Sequence, residues 1–510
     1  MVFTPTSLHI LCLYSLNFKK KSMKYLTKIL IMTLPILFVA VSCQEFETDL
    51  EVPNLENPND AILASDPVAL QSTAGNLLNS WYMTVHSTSG PGAAMQTMAD
   101  VSTCSWGNFG MRDLSSEPRV AFNNTTGYSN NVTSSYFNSL YSLLTDSNTL
   151  VAAVEGGTDF DDPEMILMMG KMGQALSVGY LSLVFDRVWL YDAAGPIGEN
   201  ETGETDYATA MTYALERLDE AIAVANANSF TLPETWLPGV AADSARMSEI
   251  LNSFGARMIV SNVRNSTEKN SIDWNRVLNY SNSGITSDFD ITMDDITWYD
   301  LIPKTYLVYP GWGQVDMRIV HLLDPSMPDY WTADLVTLPE ATSADARLET
   351  DYQYLSSNGF SPDRGKYHFS NYRYSRLDDY ITEWTIPVTE YSKSELDMYK
   401  AEALLNTGNV AGAATVVNAG TRTSRGHLPA VSGNSADIYK AIQYERFIEF
   451  AYTGMGLSFF EMRKEDMLQQ GTLLHFPVPG SSLDAIPEDY YTYGGTKGVA
   501  GEDYSAGGWR

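Results

Sequence analysis

The side chains that most often carry catalysis are present in this chain without the spacings that make them act together. The six histidines (His9, His86, His321, His368, His427 and His475) form no HxH or HExxH pair, so no zinc site is expected. No GxSxG turn offers a serine nucleophile and no Walker loop cradles a phosphate; Gly311-Trp312-Gly313 is not a nucleotide loop. Carboxylates are plentiful, at Asp161-Asp162, Asp294-Asp295 and Asp378-Asp379 among others. Glycoside hydrolysis needs only two well-placed carboxylates, so that chemistry stays open. Asp288, Asp290, Asp294 and Asp295 are hard oxygen donors of the kind Ca²⁺ takes, but their run lacks the EF-hand spacing and glycine and reads as a solvated acidic loop. No metal and no cofactor are expected. Of the three cysteines, Cys12 and Cys43 lie in the leader region, so Cys104 has no second cysteine with which to form an intramolecular disulfide. It reads as a small buried apolar residue.

Cys43 has a different chemistry. From Met23, Lys24 and Lys28 form a short basic region, and residues 29–41 are almost wholly apolar. That run is too short for a bilayer, which takes about 20 residues, and Pro35 interrupts it. It has the length of a secretory signal core. Ala40-Val41-Ser42-Cys43 resembles a bacterial lipoprotein box, in which the peptidase cuts before the cysteine and the cysteine sulfur carries a diacylglycerol. Residues 1–22 read as an upstream extension from a mis-called start, 23–42 as the signal peptide, and 43–60 as an acidic, proline-punctuated tether.

The whole chain of 510 residues carries 32 basic and 62 acidic residues. Loss of residues 1–42 removes five lysines and no acid, taking the net charge from −30 to −35. Such a protein repels polyanions, which argues against nucleic acid as a partner. Its 44% hydrophobic content is too high for a disordered chain.

The elements that would position any site are mostly helical. Met211, Ala214, Leu215, Leu218, Ala221, Ile222 and Ala225 form one stripe at spacings of three and four, which predicts a helix over 205–226 with Asp206 as N-cap. Residues 163–188 are apolar nearly all round and predict a deeply buried helix. Further helices are expected over 136–154, 248–262, 273–282, 394–406, 410–421 and 436–452. Those over 394–406 and 410–421, joined at Gly408-Asn409, look like a tetratricopeptide-type hairpin. Between 284 and 390 the helical period fades while Pro, Gly and aromatic residues crowd in. This is expected to be a loop-rich insertion with short strands, the kind of segment that carries function.

Three blocks in order resemble the SusD/RagB family of surface nutrient-binding lipoproteins. The first is the box at Cys43. The second is the segment 391–409, with Tyr399, then Ala401-Glu402-Ala403-Leu404-Leu405 and Gly408-Asn409, similar to the family's AEALLxxGD hairpin. The third runs from Tyr444-Glu445-Arg446 through Glu449 and Gly454 to Phe459-Phe460-Glu461-Met462-Arg463, similar to its ERxxELxxEGxRxxDLxR block; Phe476-Pro477-Val478-Pro479 resembles the closing segment. Thr453, Gly456, Leu457 and Glu461 depart from the family pattern, as does the Gly-rich end, which marks a divergent member.

The resemblance implies a mainly α fold: tetratricopeptide-like hairpins in a right-handed superhelical scaffold, with the loop-rich aromatic insertion attached. It divides the body into a helical N-terminal part (61–283), the insertion (284–390) and a C-terminal helical part (391–510). It further implies no catalysis, an outer-membrane cell-surface location with a lipid anchor at Cys43, a glycan or peptide ligand, and a TonB-dependent transporter of the SusC type as partner. A helical scaffold that binds only protein, or a glycoside hydrolase, are the alternatives. Sugar binding needs aromatic faces with polar groups at their edges. The candidates are Trp81, Tyr82, Trp106, Trp298, Tyr299, Trp312, Trp331 and Tyr372, in loop-like settings beside residues such as His86, Asn108, Asp300, Gln314 and Arg373. Glu445 and Glu449 share a helix face as like charges, which is unfavourable, so Arg446 or Arg463 is expected to neutralise them in a structural ion-pair cluster.

Overall fold

The computed structural model describes residues 66–104, 108–192, 203–300, 308, 313–330, 338–356, 368–496 and 503–510, all within one compact unit, Leu63–Arg510. The leader, the box at Cys43 and the tether lie outside the described residues. Helix accounts for 53% of the structure, and the strands are short, so the fold is mainly α.

The long helices are α1 (Pro67–Val85), α2 (Ser134–Glu155), α3 (Pro163–Val184), α4 (Tyr207–Ala227), α5 (Ser244–Ser261), α6 (Trp274–Ser283), α7 (Lys393–Asn406), α8 (Val410–Ala419), α9 (Ser435–Glu449) and α10 (Leu457–Lys464). The chain's surplus of aspartate is put to use at their starts. Asp66, Asp162, Asp206, Asp243 and Asp273 each accept a hydrogen bond from a backbone N–H of the first turn of α1, α3, α4, α5 and α6. Each satisfies an orphan donor and places negative charge at the positive end of the helix dipole. Ser392 and Asn409 cap α7 and α8 in the same way.

Helices adjacent in sequence pack on one another: α2 on α3, α3 on α4, α4 on α5, α5 on α6, and α7 on α8. Helix α3 is the axis of this array. It is buried on every side, as its unbroken apolar pattern requires, and α1, α2 and α4 all press against it. It ends at Val184, four residues short of the expected 188. The reason is tertiary. Buried Arg264 donates to Ser182 O (2.6 Å) and Phe185 O (3.2 Å), and buried Arg463 donates to Leu183 O (3.1 Å). Two guanidinium groups thus satisfy carbonyls that a continuing helix would have used. The hairpin α7–α8, with α9, encloses a satellite core of its own around Met398, Ala401, Ala413, Val417 and Ile442.

The strands are β1 (Ser102–Thr103), β2 (Arg187–Leu190), β3 (Gly203–Asp206), β4 (Phe289–Thr292), β5 (Gln314–Val315), β6 (Tyr352–Tyr354), β7 (Tyr372–Tyr374) and β8 (Pro387–Tyr391). They pair antiparallel as β1–β5, β2–β3, β4–β8 and β6–β7. The β4–β8 pair matters most for the architecture. Helices α6 and α7 pack together across the gap in sequence, and the chain between them leaves along β4 and returns along β8. The segment expected as an insertion is therefore hung from the helical array by a two-stranded neck.

Candidate ligand-binding groove

Within the insertion, Tyr352-Gln353-Tyr354 and Tyr372-Arg373-Tyr374 pair residue for residue. The strand period of two sets all four tyrosines on one face, and at one end of it Tyr374 stacks on Tyr452 (centroids 4.2 Å apart) while Tyr352 is buried against it. Beside this pair lies a groove of about 780 Å³. Tyr354, Tyr372, Gln353, Arg373, Glu340 and Glu349 are among the side chains that line it. Tyr372 is buried in its wall; its hydroxyl oxygen accepts from Ala341 N–H (2.8 Å) and its ring meets Tyr354 edge-on at 5.4 Å. Arg373 forks onto Asp378 (2.6 and 2.5 Å) and donates to Gln353 Oε1 (2.5 Å). Gln353 and Glu349 are exposed.

Two buried ionic clusters fix this groove to the helices. The first holds its rear wall. Arg347, on a short helix (Arg347–Asp351), donates to Glu445 Oε2 (2.7 Å), Glu449 Oε2 (3.0 Å) and Asp345 Oδ2 (2.8 Å). Burial alone pulls the guanidinium pKa down, but Asp345 and Glu445 override it and raise it, keeping the group charged. Arg376 reaches Glu449 at 2.9 Å, and Arg425 bridges Glu449 and Asp351. The two like charges on α9 are thus neutralised mainly by Arg347 and Arg376 of the insertion, with Arg425 beside them, and not by the residues expected. Arg446 turns to Glu402 (2.5 Å) and Glu461 (2.7 Å), and Arg463 makes hydrogen bonds only to backbone carbonyls. Sequence could not give this answer, because Arg347 lies 98 residues from Glu445. Burial pushes the Glu402 carboxyl up, and Arg446 and Lys464 override it, holding it down at about 2.

The second cluster sits at the neck. His86, at the C-terminal end of α1, lies between Asp300 (Nδ1 to Oδ2, 2.8 Å) and Glu390 of β8 (Nε2 to Oε2, 2.6 Å). Arg257 of α5 bridges Glu390 (2.6 Å) and Glu395 of α7 (2.7 Å).

The aromatic candidates separate sharply. Trp81 is fully buried, edge-on to Tyr180 (5.1 Å) and Phe254 (5.2 Å). Tyr82 is equally buried and stacks on His86 at 4.2 Å; Trp298 is buried 5.5 Å from Tyr82. Their ring faces are occupied by the protein, so these three are corrected from ligand platform to core. The error was one of context. Leu70, Ala74, Leu77, Leu78 and Trp81 recur at helical spacing, and Trp81-Tyr82 lie in α1 and not in a loop. Tyr372 is a wall of the groove with no free face of its own. Tyr299 is half-buried. Trp106, Trp312 and Trp331 lie outside the described residues. Tyr354 and Gln353 were missed; the alternation Tyr-x-Tyr on two segments was the available signal. Trp384, 42% exposed beside the neck, was missed too. Cys104 is buried, as a small apolar residue would be. Among the described residues no group of His, Cys, Asp or Glu is placed to hold a metal ion, and no helix is long and apolar enough to cross a membrane.

No protein-family model matches this sequence, and no curated protein matches it. Solved structures do. A SusD-like protein from Bacteroides fragilis matches with a TM-score of 0.57 at 14% identity, over 81% of this chain and 89% of that one. Surface glycan-binding protein A from Bacteroides uniformis matches with a TM-score of 0.57 at 13% identity, over 83% and 98%. A protein crystallised with a xylogluco-oligosaccharide matches with a TM-score of 0.53 at 13% identity, over 86% and 92%. Identities this low carry the fold alone, and that fold is clear: the chain folds as SusD-superfamily proteins do, on a strongly diverged sequence.

Proposed function

We propose that this protein is a cell-surface lipoprotein, anchored in the outer membrane through acylated Cys43, that binds a neutral oligosaccharide and passes it to a TonB-dependent transporter of the SusC type. The observation that carries the reading is the fold shared with a surface glycan-binding protein and with a protein holding a xylogluco-oligosaccharide. The groove supports it. It combines a tyrosine ring with amide, guanidinium and carboxylate edges, the combination that a sugar ring with an apolar face and a hydroxyl rim requires. Its carboxylates (Glu340, Glu349, Asp378) outnumber its one guanidinium, which favours a neutral glycan over a uronate or sulfated one. Asp378 is already committed to Arg373, in keeping with a binder and not a hydrolase.

The test uses the chain from residue 44 onward, which contains the whole compact unit. Electrophoresis through gels cast with neutral polysaccharides is expected to retard it. Gln353→Ala and Tyr354→Ala are expected to weaken that binding about tenfold each, as contact residues do. A protein retarded by no glycan would overturn the reading.

A further inference from the structure

A second cleft, of about 400 Å³, lies on the helical body and shares no lining residue with the insertion groove. Its size is that of a small-ligand site. One wall is aromatic: Phe137 and Tyr141 of α2, and Trp189 of β2. Phe137 meets Tyr141 at 4.8 Å and Trp189 edge-on at 6.5 Å. The Trp189 backbone is pinned by Tyr141: its main-chain N–H donates to Tyr141 Oη (2.8 Å), and the Tyr141 hydroxyl donates to its main-chain carbonyl (3.3 Å). The Arg187 guanidinium lies 5.2 Å from the indole centroid, itself fixed by Glu204 (2.6 Å) and Glu488 (2.5 Å). The facing wall carries Val478 and Ile486, the latter 42% exposed. Between the walls stand hydroxyls and one amide, Ser142, Ser482 and the exposed Asn138 among them.

None of the eleven lining residues is charged, in a chain of net charge −30. The nearby Arg187 is already paired with Glu204 and Glu488, so a charged ligand would find no free counter-charge there. A purely apolar ligand would leave the amide and hydroxyls without use. A neutral pyranose matches both halves: C–H face on the aromatic wall, hydroxyls toward Asn138 and the serines. We propose that this cleft is a second binding site for a neutral sugar ring, presented by the helical body itself. The proposal rests on the glycan-binding reading. It adds that the chain grips its ligand at two places, which raises the apparent affinity for a polymer long enough to reach both.

The experiment titrates the chain from residue 44 with neutral gluco-, manno- and xylo-oligosaccharides, read by calorimetry and by indole fluorescence. Two binding events are expected with at least one of these sugars. Trp189→Ala is expected to abolish one of them, and so is Asn138→Asp, an exposed substitution that sets a charge at the cleft without touching the core. Gln353→Ala is expected to weaken the other about tenfold and leave the cleft event unchanged. A single event that Asn138→Asp leaves unaltered overturns the second site while the glycan-binding reading stands. Binding of no sugar overturns both. A cleft that takes up anilinonaphthalene sulfonate but no sugar overturns the proposal in favour of an apolar partner.

Discussion

His86 and Glu390 face each other at 2.6 Å although 304 residues separate them. One stands at the end of the first long helix and the other on the strand that closes the insertion. Burial alone pulls the imidazolium pKa down. The Asp300 and Glu390 carboxylates override it and push it up to about 10. The histidine is therefore a buried cation that joins α1 to the neck, with Tyr82 stacked on it and Arg257 completing the charge on the far side of Glu390.

A pH dependence follows with a definite sign. Because the folded pKa exceeds the ordinary value of 6.5, this pairing contributes fully below about pH 6.5 and is lost as pH rises through about 10. Urea denaturation from pH 7 to pH 10 is expected to show stability falling by several kcal/mol. His86→Gln should remove that slope and lower stability at pH 7 by about 3–5 kcal/mol, since it leaves the buried carboxylates of Asp300, Glu390 and Glu395 with Arg257 as the cluster's remaining cation. A slope unchanged in the variant would show that the imidazole is not the charge that is lost.

Arg347 should be the dominant member of the groove's rear clamp. Arg347→Ala takes the bidentate cation from Asp345 and Glu445 in the interior, while Glu449 keeps Arg376 and Arg425, and is expected to cost about 3–5 kcal/mol. Adding Glu445→Gln should recover part of that loss, because one stranded charge disappears. The same Glu445→Gln change should recover nothing in an Arg446→Ala background, where the carboxylates that lose a cation are Glu402 and Glu461, which keep only Lys464. A double-mutant cycle by chemical denaturation measures both couplings.

Helices α2 and α3 approach closely at Gly173. A Cβ built there would lie 2.1 Å from Ser147 Oγ and 3.2 Å from Leu77 Cδ1. Alanine at an unhindered helix site would gain about 1 kcal/mol over glycine. Here overpacking offsets that gain, at about 1–3 kcal/mol. Gly173→Ala is expected to be destabilising or neutral and Gly173→Val clearly destabilising, by thermal melting. A stabilised Gly173→Ala protein would show that the helices are further apart than described.

Lipidation at Cys43 is read from sequence alone and lies outside the described residues. Metabolic labelling with palmitate is expected to mark the wild-type protein and not Cys43→Ala. The variant is expected in the soluble fraction. An unlabelled wild-type protein would end the surface-anchor reading.

Much of the scaffold was legible without coordinates. The stripe over 205–226 and the Asp206 cap became α4 almost residue for residue, and the Gly408-Asn409 turn divides α7 from α8. Period, caps and turn residues act over a few positions, so the chain states them locally. Aromatic side chains gave no such clarity. Trp81 in the core and Tyr354 at the groove are chemically alike, and only the packing around each ring separates them.

By itself, then, the sequence determined most of the long helices, the Asp206 cap and the acidic charge. Tertiary structure decided which cation answers Glu445, where α3 stops, and which rings stay open to a ligand. The physical reason is range. A cap or a stripe is settled among neighbours a few residues apart. A buried charge must find its partner across about a hundred residues or more, and a ring face is free or covered according to whatever the folded chain lays against it.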